Sequence, residues 1–147
     1  MTKKLETVAT ILERELQPTI KEWLRRVNHL PVLTRISLND EGRAGHLPKL
    51  FHDLICRLRL AKDAHLPNSS AATEHGQRRR DLGYLPAMLV EESRLLQVVT
   101  FQTLHRHQSE LDQDQLLLDV MVIADEVDLQ LMHAVRCFET PLAQPAA

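Results

Sequence analysis

Leu116-Leu117-Leu118-Asp119-Val120-Met121-Val122-Ile123-Ala124-Asp125-Glu126-Val127-Asp128-Leu129-Gln130-Leu131-Met132-His133-Ala134 reads as a helix with apolar residues on more than one face. Leu116, Val120, Ile123, Val127, Leu131 and Ala134 recur at three- and four-residue steps and continue to Phe138. That spacing lines one side of a 3.6-residue helix. Leu118, Val122, Leu129 and Met132 form a second line, with Asp125 lying in it. A helix this apolar either sits centrally in a bundle or buries one face in its own core and the other in a partner. Both readings stay open here. The helix is expected over about 112–138, with Asp112 and Asp114 at the positive end of its dipole.

Working outward, Pro86 opens a helix carrying Met88, Leu89, Leu95, Leu96, Val99 and Leu104, to about Gln108. The short connection to the last helix predicts that the two run antiparallel as the spine of the fold. Before it, a polar helix over about 72–82 ends at Gly83, which tolerates the left-handed conformation that terminates helices. The stretch 64–72, with Pro67, Asn68, Ser69 and Ser70, reads as a loop. Pro48 reads as a first-turn proline of a helix bearing Leu47, Leu50, Phe51, Leu54, Ile55 and Leu58. From residue 2 to 30 another helical face is written, interrupted by Pro18, so a kink or a break is expected near Gln17. Pro31 stops it and opens a connection. The fold class expected is all-α, a bundle of five or six helices with two long antiparallel C-terminal ones. Residues 1–139 form one domain, and 140–147, with Pro141 and Pro145, read as a linker toward an output domain.

The chain of 147 residues balances 18 basic against 20 acidic side chains, a net −2. A surface for nucleic acid would want a basic excess, so no nucleic-acid partner is expected. No apolar run reaches the roughly 18 residues of a membrane helix. No secretory leader opens the chain, which points to the cytoplasm. Cys56 and Cys137 make no disulfide framework. A glycine-rich phosphate loop, a nucleophile elbow and a His-Glu-x-x-His motif are all missing, so no catalysis is expected.

The densest polar signal is Glu74-His75-Gly76-Gln77-Arg78-Arg79-Arg80-Asp81-Leu82-Gly83-Tyr84, followed by Glu91-Glu92-Ser93-Arg94-Leu95-Leu96. His75 and Arg79 are four apart and share a helix face. A hairpin across 83–86 would bring Arg79 to Glu92. Their pairing would be either a structural tie for the hairpin or a ligand or switch site. The run His75-Gly76-x-x-Arg79-x-x-x-Gly83-Tyr84, with Leu89, Glu92 and Leu95-Leu96, resembles the N-terminal domain of RsbR-type stressosome co-antagonists. Related domains also precede bacterial histidine kinases. The resemblance extends more weakly to Ile11-Leu12, Leu16, Trp23-Leu24, Val27 and Leu47-Pro48-x-Leu50. It implies an all-helical, intracellular, often dimeric input domain of a signalling protein. Such a domain has no catalysis of its own and passes a packing change to a C-terminal output. Leu85 departs from it, because the family tends to carry a polar helix cap there. So does Glu91, where a basic residue is common.

Two further constellations remain. His52 with Cys56, and His133 with Cys137, are each spaced four apart on a helix. If the two helices met there, they would offer a His₂Cys₂ metal set. That is the alternative reading, a metal or haem sensor, whereas the main reading expects no cofactor. Asp125, in the line of Leu118, Val122, Leu129 and Met132, would set dimer register or pair with a nearby arginine.

Overall fold

The computed structural model describes residues 4–60 and 70–139, and they are all-α. Eight helices follow in order: α1 (Val8–Arg14), α2 (Leu16–Val27), α3 (Pro31–Thr34), α4 (Asp40–Ala44), α5 (Leu47–Arg59), α6 (Ala71–Asp81), α7 (Pro86–Arg106) and α8 (Gln113–Val135). Short 3₁₀ turns follow α7, at Gln108–Glu110, and α8, at Arg136–Phe138. The short helices α3 and α4, after Pro31, take the count beyond the five or six expected. The expected linker at 140–147 and most of the expected 64–72 loop lie outside the described residues. Ala71, given to that loop, begins α6, and Ala72 falls in that helix, where the expected loop and helix met.

The break in the first segment falls at Glu15, upstream of the expected Gln17. A proline ring collides with the carbonyl four residues earlier, here that of Arg14, so the turn before Pro18 is the one that cannot continue. Pro18 itself sits inside the first turn of α2, where an amide donor has no partner to lose. Pro31, Pro48 and Pro86 occupy first-turn positions in the same way. Side chains cap three starts: Thr7 Oγ1 accepts from Thr10 N at 3.1 Å, Asn39 Oδ1 from Gly42 N at 2.7 Å, and Asp112 Oδ1 from Asp114 N at 3.0 Å. Leu85 offers no acceptor at the start of α7. Instead Met88 Sδ folds back to accept from Leu85 N at 3.3 Å, a weak substitute.

α8 packs against α5, α6 and α7, and α7 in turn packs on α2. The bond from Gln97 Nε2 to Asp128 Oδ1 marks α7 and α8 as antiparallel across their short connection. Ile123 and Val127 of α8 join Trp23, Val27, Leu47, Phe51, Leu89 and Val99 in one buried core. A parallel bridge between Glu6 and Leu111, with Glu6 N donating to Glu110 O at 2.7 Å, ties the entering chain to the α7–α8 connection.

α6 docks without large apolar side chains. Its buried residues are Ala71, Ala72, His75, Gly76 and Arg79. Gly76 lies so near α8 that a Cβ there would stand 2.6 Å from Ala134 Cα and 2.8 Å from its carbonyl carbon, with the carbonyl oxygen nearer still. Arg80 Nη1 also donates to Cys137 O beside the same crossing.

Candidate functional site

Gly83, with φ of +94°, ends α6. Tyr84 N donates to Arg79 O and Gly83 N to Arg80 O, each at 3.0 Å. This paired closure reverses the chain within a few residues, as glycine at this position allows. It brings α6 and α7 side by side and turns the Tyr84 ring inward, 2% exposed.

Arg79 and Glu92 meet there, buried to 2% and 4% exposure. Nε donates to Oε1 at 3.2 Å and Nη2 to Oε2 at 3.3 Å, the two-pronged geometry in which guanidinium and carboxylate match best. Arg79 also donates to Gly42 O at 3.0 Å and to Arg43 O at 2.5 Å. Tyr84 Oη donates to Glu92 Oε2 at 3.0 Å and accepts from Arg43 Nη1 at 2.9 Å. The Arg79 guanidinium lies 4.9 Å from the Tyr84 ring centroid. Arg43 also holds Ile36 O at 2.6 Å, while its Nε has no partner among the described residues. Trp23 Nε1 donates to Glu92 O at 3.0 Å. Glu92 of α7 therefore ties to α6 through its carboxylate and to α2 through its main-chain carbonyl, while Tyr84 and Arg79 carry the link on to α4. Burial raises the Glu92 carboxyl, and Arg79, Tyr84 and Arg43 pull it back. Burial, with the Glu92 charge beside it, lifts the Tyr84 hydroxyl to about 12.

Next to this cluster the imidazoles of His46 and His75 stack face to face, centroids 3.5 Å apart and planes 8° from parallel. Trp23 meets His46 edge-on at 6.1 Å. His75 Nε2 is 3.9 Å from Glu92 Oε1, too far for a hydrogen bond. Burial and the positive charge of Arg79 and Arg78 push His75 down to about 3. Burial pushes His46 well below its ordinary range as well, helped by His75 and the two arginines. Burial thus favours the neutral form of both rings, and two charged rings stacked this closely would repel. Below it lies a cavity of about 40 Å³ against α8, with Val127, Gln130 and Ala134 on its far wall.

His75, Arg79 and Glu92 thus come together as one site. Sequence reading missed His46, Arg43 and Gln130, and passed over Tyr84 and Gly76 as mere parts of a motif. The His₂Cys₂ set does not form. Cys56 Sγ lies 3.5 Å from His52 Nε2, but Cys137 Sγ turns to Thr73 O at 3.4 Å. Among the described residues no three His, Cys, Asp or Glu side chains gather as a metal ion would need. The two pairs lie on helices that approach through other residues, Gln130 with Leu50 and Arg57 with Asp125.

The second line of α8 is divided. Leu118 and Met132 are exposed, whereas Val122 and Leu129 are half-buried. Asp125 pairs with Arg57 at 2.5 Å. The most exposed apolar residues of α8 are Leu117 (69%) and Met121 (60%), so the bare face is rotated toward them. No helix among the described residues is long and apolar enough to cross a membrane.

No protein-family model, curated protein or solved structure matches this chain.

Proposed function

We propose that this chain is a non-catalytic sensory and self-association domain of a bacterial signalling protein, acting in the cytoplasm. In this reading α8 relays changes in packing to a C-terminal output such as a histidine kinase or a stress-response regulator. The observation that carries the reading is the position of α8. One face closes the cavity beside the His46–His75 pair, and the opposite face presents Leu117, Leu118, Met121 and Met132 to solvent. A helix so placed couples the interior to whatever covers its outer face. A ligand moves such an element only by binding its two packings with different affinity. The resemblance of the His75–Leu96 run to stressosome input domains supplies the signalling context.

A second copy is the expected cover. Asp125, beside the bare face, is paired with Arg57, which offsets part of its charge and lessens repulsion between two such faces. Sedimentation velocity across a concentration series tests the proposal. The chain is expected to dimerise, and Met121→Glu with Leu118→Glu to give a monomer of unchanged helicity. A parent chain that stays monomeric at several hundred micromolar overturns it.

A further inference from the structure

Leu118, Met121, Asp125, Asp128 and Met132 follow one another along α8 at steps of three and four residues, and all five are exposed. Asp114 continues the line one turn earlier and Arg136 one turn later, both exposed as well. At about 3.6 residues per turn they form one stripe, opposite the buried Ile123 and Ala134. Steps of three and four are those of a seam along which two helices pack. The charge of this seam is ordered. An acid stands at its start, a base at its end, and two acids separate Leu118 and Met121 from Met132. Neither Asp114 nor Arg136 has an ion pair among the described residues.

A closed dimer about a two-fold axis allows two ways for such stripes to meet. Parallel and in register, each residue faces its own copy. Asp114, Asp125, Asp128 and Arg136 then all meet like charge, and like charges directly opposed repel. Antiparallel about Asp125, Asp114 of each copy meets Arg136 of the other, and Leu118 covers Met132, each twice over. Met121 lies level with Leu129, which is half-buried. Only Asp125 meets its like, on the axis, where each copy's own Arg57 stands 2.5 Å from the carboxylate. Sliding the antiparallel pair to bring Leu118 onto Met121 would set Asp114 against Asp125 twice. Antiparallel helix dipoles add to the preference. We infer that α8 docks a second copy of itself antiparallel, centred on Asp125.

The inference rests on the self-association reading and supplies its orientation. In this arrangement the two copies of Val135 lie about 30 Å apart along the axis. Each α8 then leads to its own output, and the pair does not continue as one shared rod.

Two measurements on the full chain test it. The first is the distance between nitroxide labels at Gln115→Cys, with Cys56→Ser and Cys137→Ser, by pulsed electron paramagnetic resonance. Gln115 is exposed, and its level in the other copy is that of Val135. The labels are expected about 30 Å apart or more. A parallel pair, with axes about 10 Å apart, would hold them within about 20 Å. The second is a charge exchange read by sedimentation, with the native cysteines kept. Asp114→Lys and Arg136→Glu should each weaken the dimer at least threefold, and the two together should restore it to within twofold. A dimer with labels closer than about 20 Å overturns the orientation and leaves self-association standing. A dimer indifferent to the single exchanges, or not restored by the double one, does the same. A parent chain that stays monomeric overturns both.

Discussion

Replacing Gly76 by alanine sets two effects of opposite sign against each other. In an exposed helix interior the change stabilises by about 1 kcal/mol, because alanine loses less backbone entropy. At Gly76 the new Cβ would stand 2.6 Å from Ala134 Cα, where ordinary contact begins near 3.4 Å. The obstruction is α8 backbone, so no side-chain rotation relieves it and the two helices must part by about 1 Å. A gap of that size forfeits up to half the dispersion energy of each contact across it. Overpacking of this kind costs about 1–3 kcal/mol, and a backbone clash belongs at the upper end. Net destabilisation of about 2 kcal/mol is expected, a fall in Tm of roughly 6 °C for a domain of this size. Thermal and urea unfolding followed by circular dichroism measure it. Ala134→Gly in the same chain should not rescue, since the atoms in the way are main chain. A Gly76→Ala protein more stable than the parent would falsify the close approach of α6 to α8.

Two further outcomes follow from the buried charges. Arg79→Ala leaves Glu92 buried with Tyr84 as its remaining side-chain partner, and about 3 kcal/mol or more of stability should be lost. Adding Glu92→Leu should recover much of it, and a single-variant loss below about 1 kcal/mol contradicts the buried pair. The histidine stack predicts acid sensitivity. With His75 at about 3 against an ordinary 6.5, the unfolded chain takes up protons that the folded chain refuses. Stability is therefore full above about pH 6.5 and falls as pH drops from there toward 3, by up to about 1.4 kcal/mol per pH unit for each histidine. Glu92, raised by burial, acts with the opposite sign, but it is common to parent and variant. Urea midpoints between pH 7 and 5 should fall less steeply in His46→Phe, and equal slopes would refute the neutral stack.

The α7–α8 spine and the Arg79–Glu92 pair were legible because their signals are local. Apolar spacing writes the long helices, and Gly83 with Pro86 announces a hairpin tight enough to join residues 13 apart. His46 and Arg43 were not legible, because they arrive from the α4–α5 region, 29 and 36 residues before their partners His75 and Arg79, with no periodicity to announce them. The α6 interface was hidden for another reason. Its buried face is alanine, glycine, histidine and arginine, which on a hydropathy scale looks like solvent-facing sequence. The metal set failed because spacing of four puts two residues on one helix face but says nothing of whether two helices meet there. The rotation of the bare α8 face toward Leu117 and Met121 depends on how α5 and α7 flank that helix, which no single segment encodes.

The bridge between Glu6 and Leu111 gives the molecule a mechanical polarity. The chain enters beside the first turn of α8 and passes beyond Phe138 at that helix's other end. The 23 residues of α8 span about 35 Å between those points. A load applied between the two ends would run along the axis of α8 and shear it against α5, α6 and α7, so that the bonds across those seams would yield together. Hairpin-like termini would instead peel a bundle open one contact at a time. The force-bearing member is thus the same rod that walls the cavity.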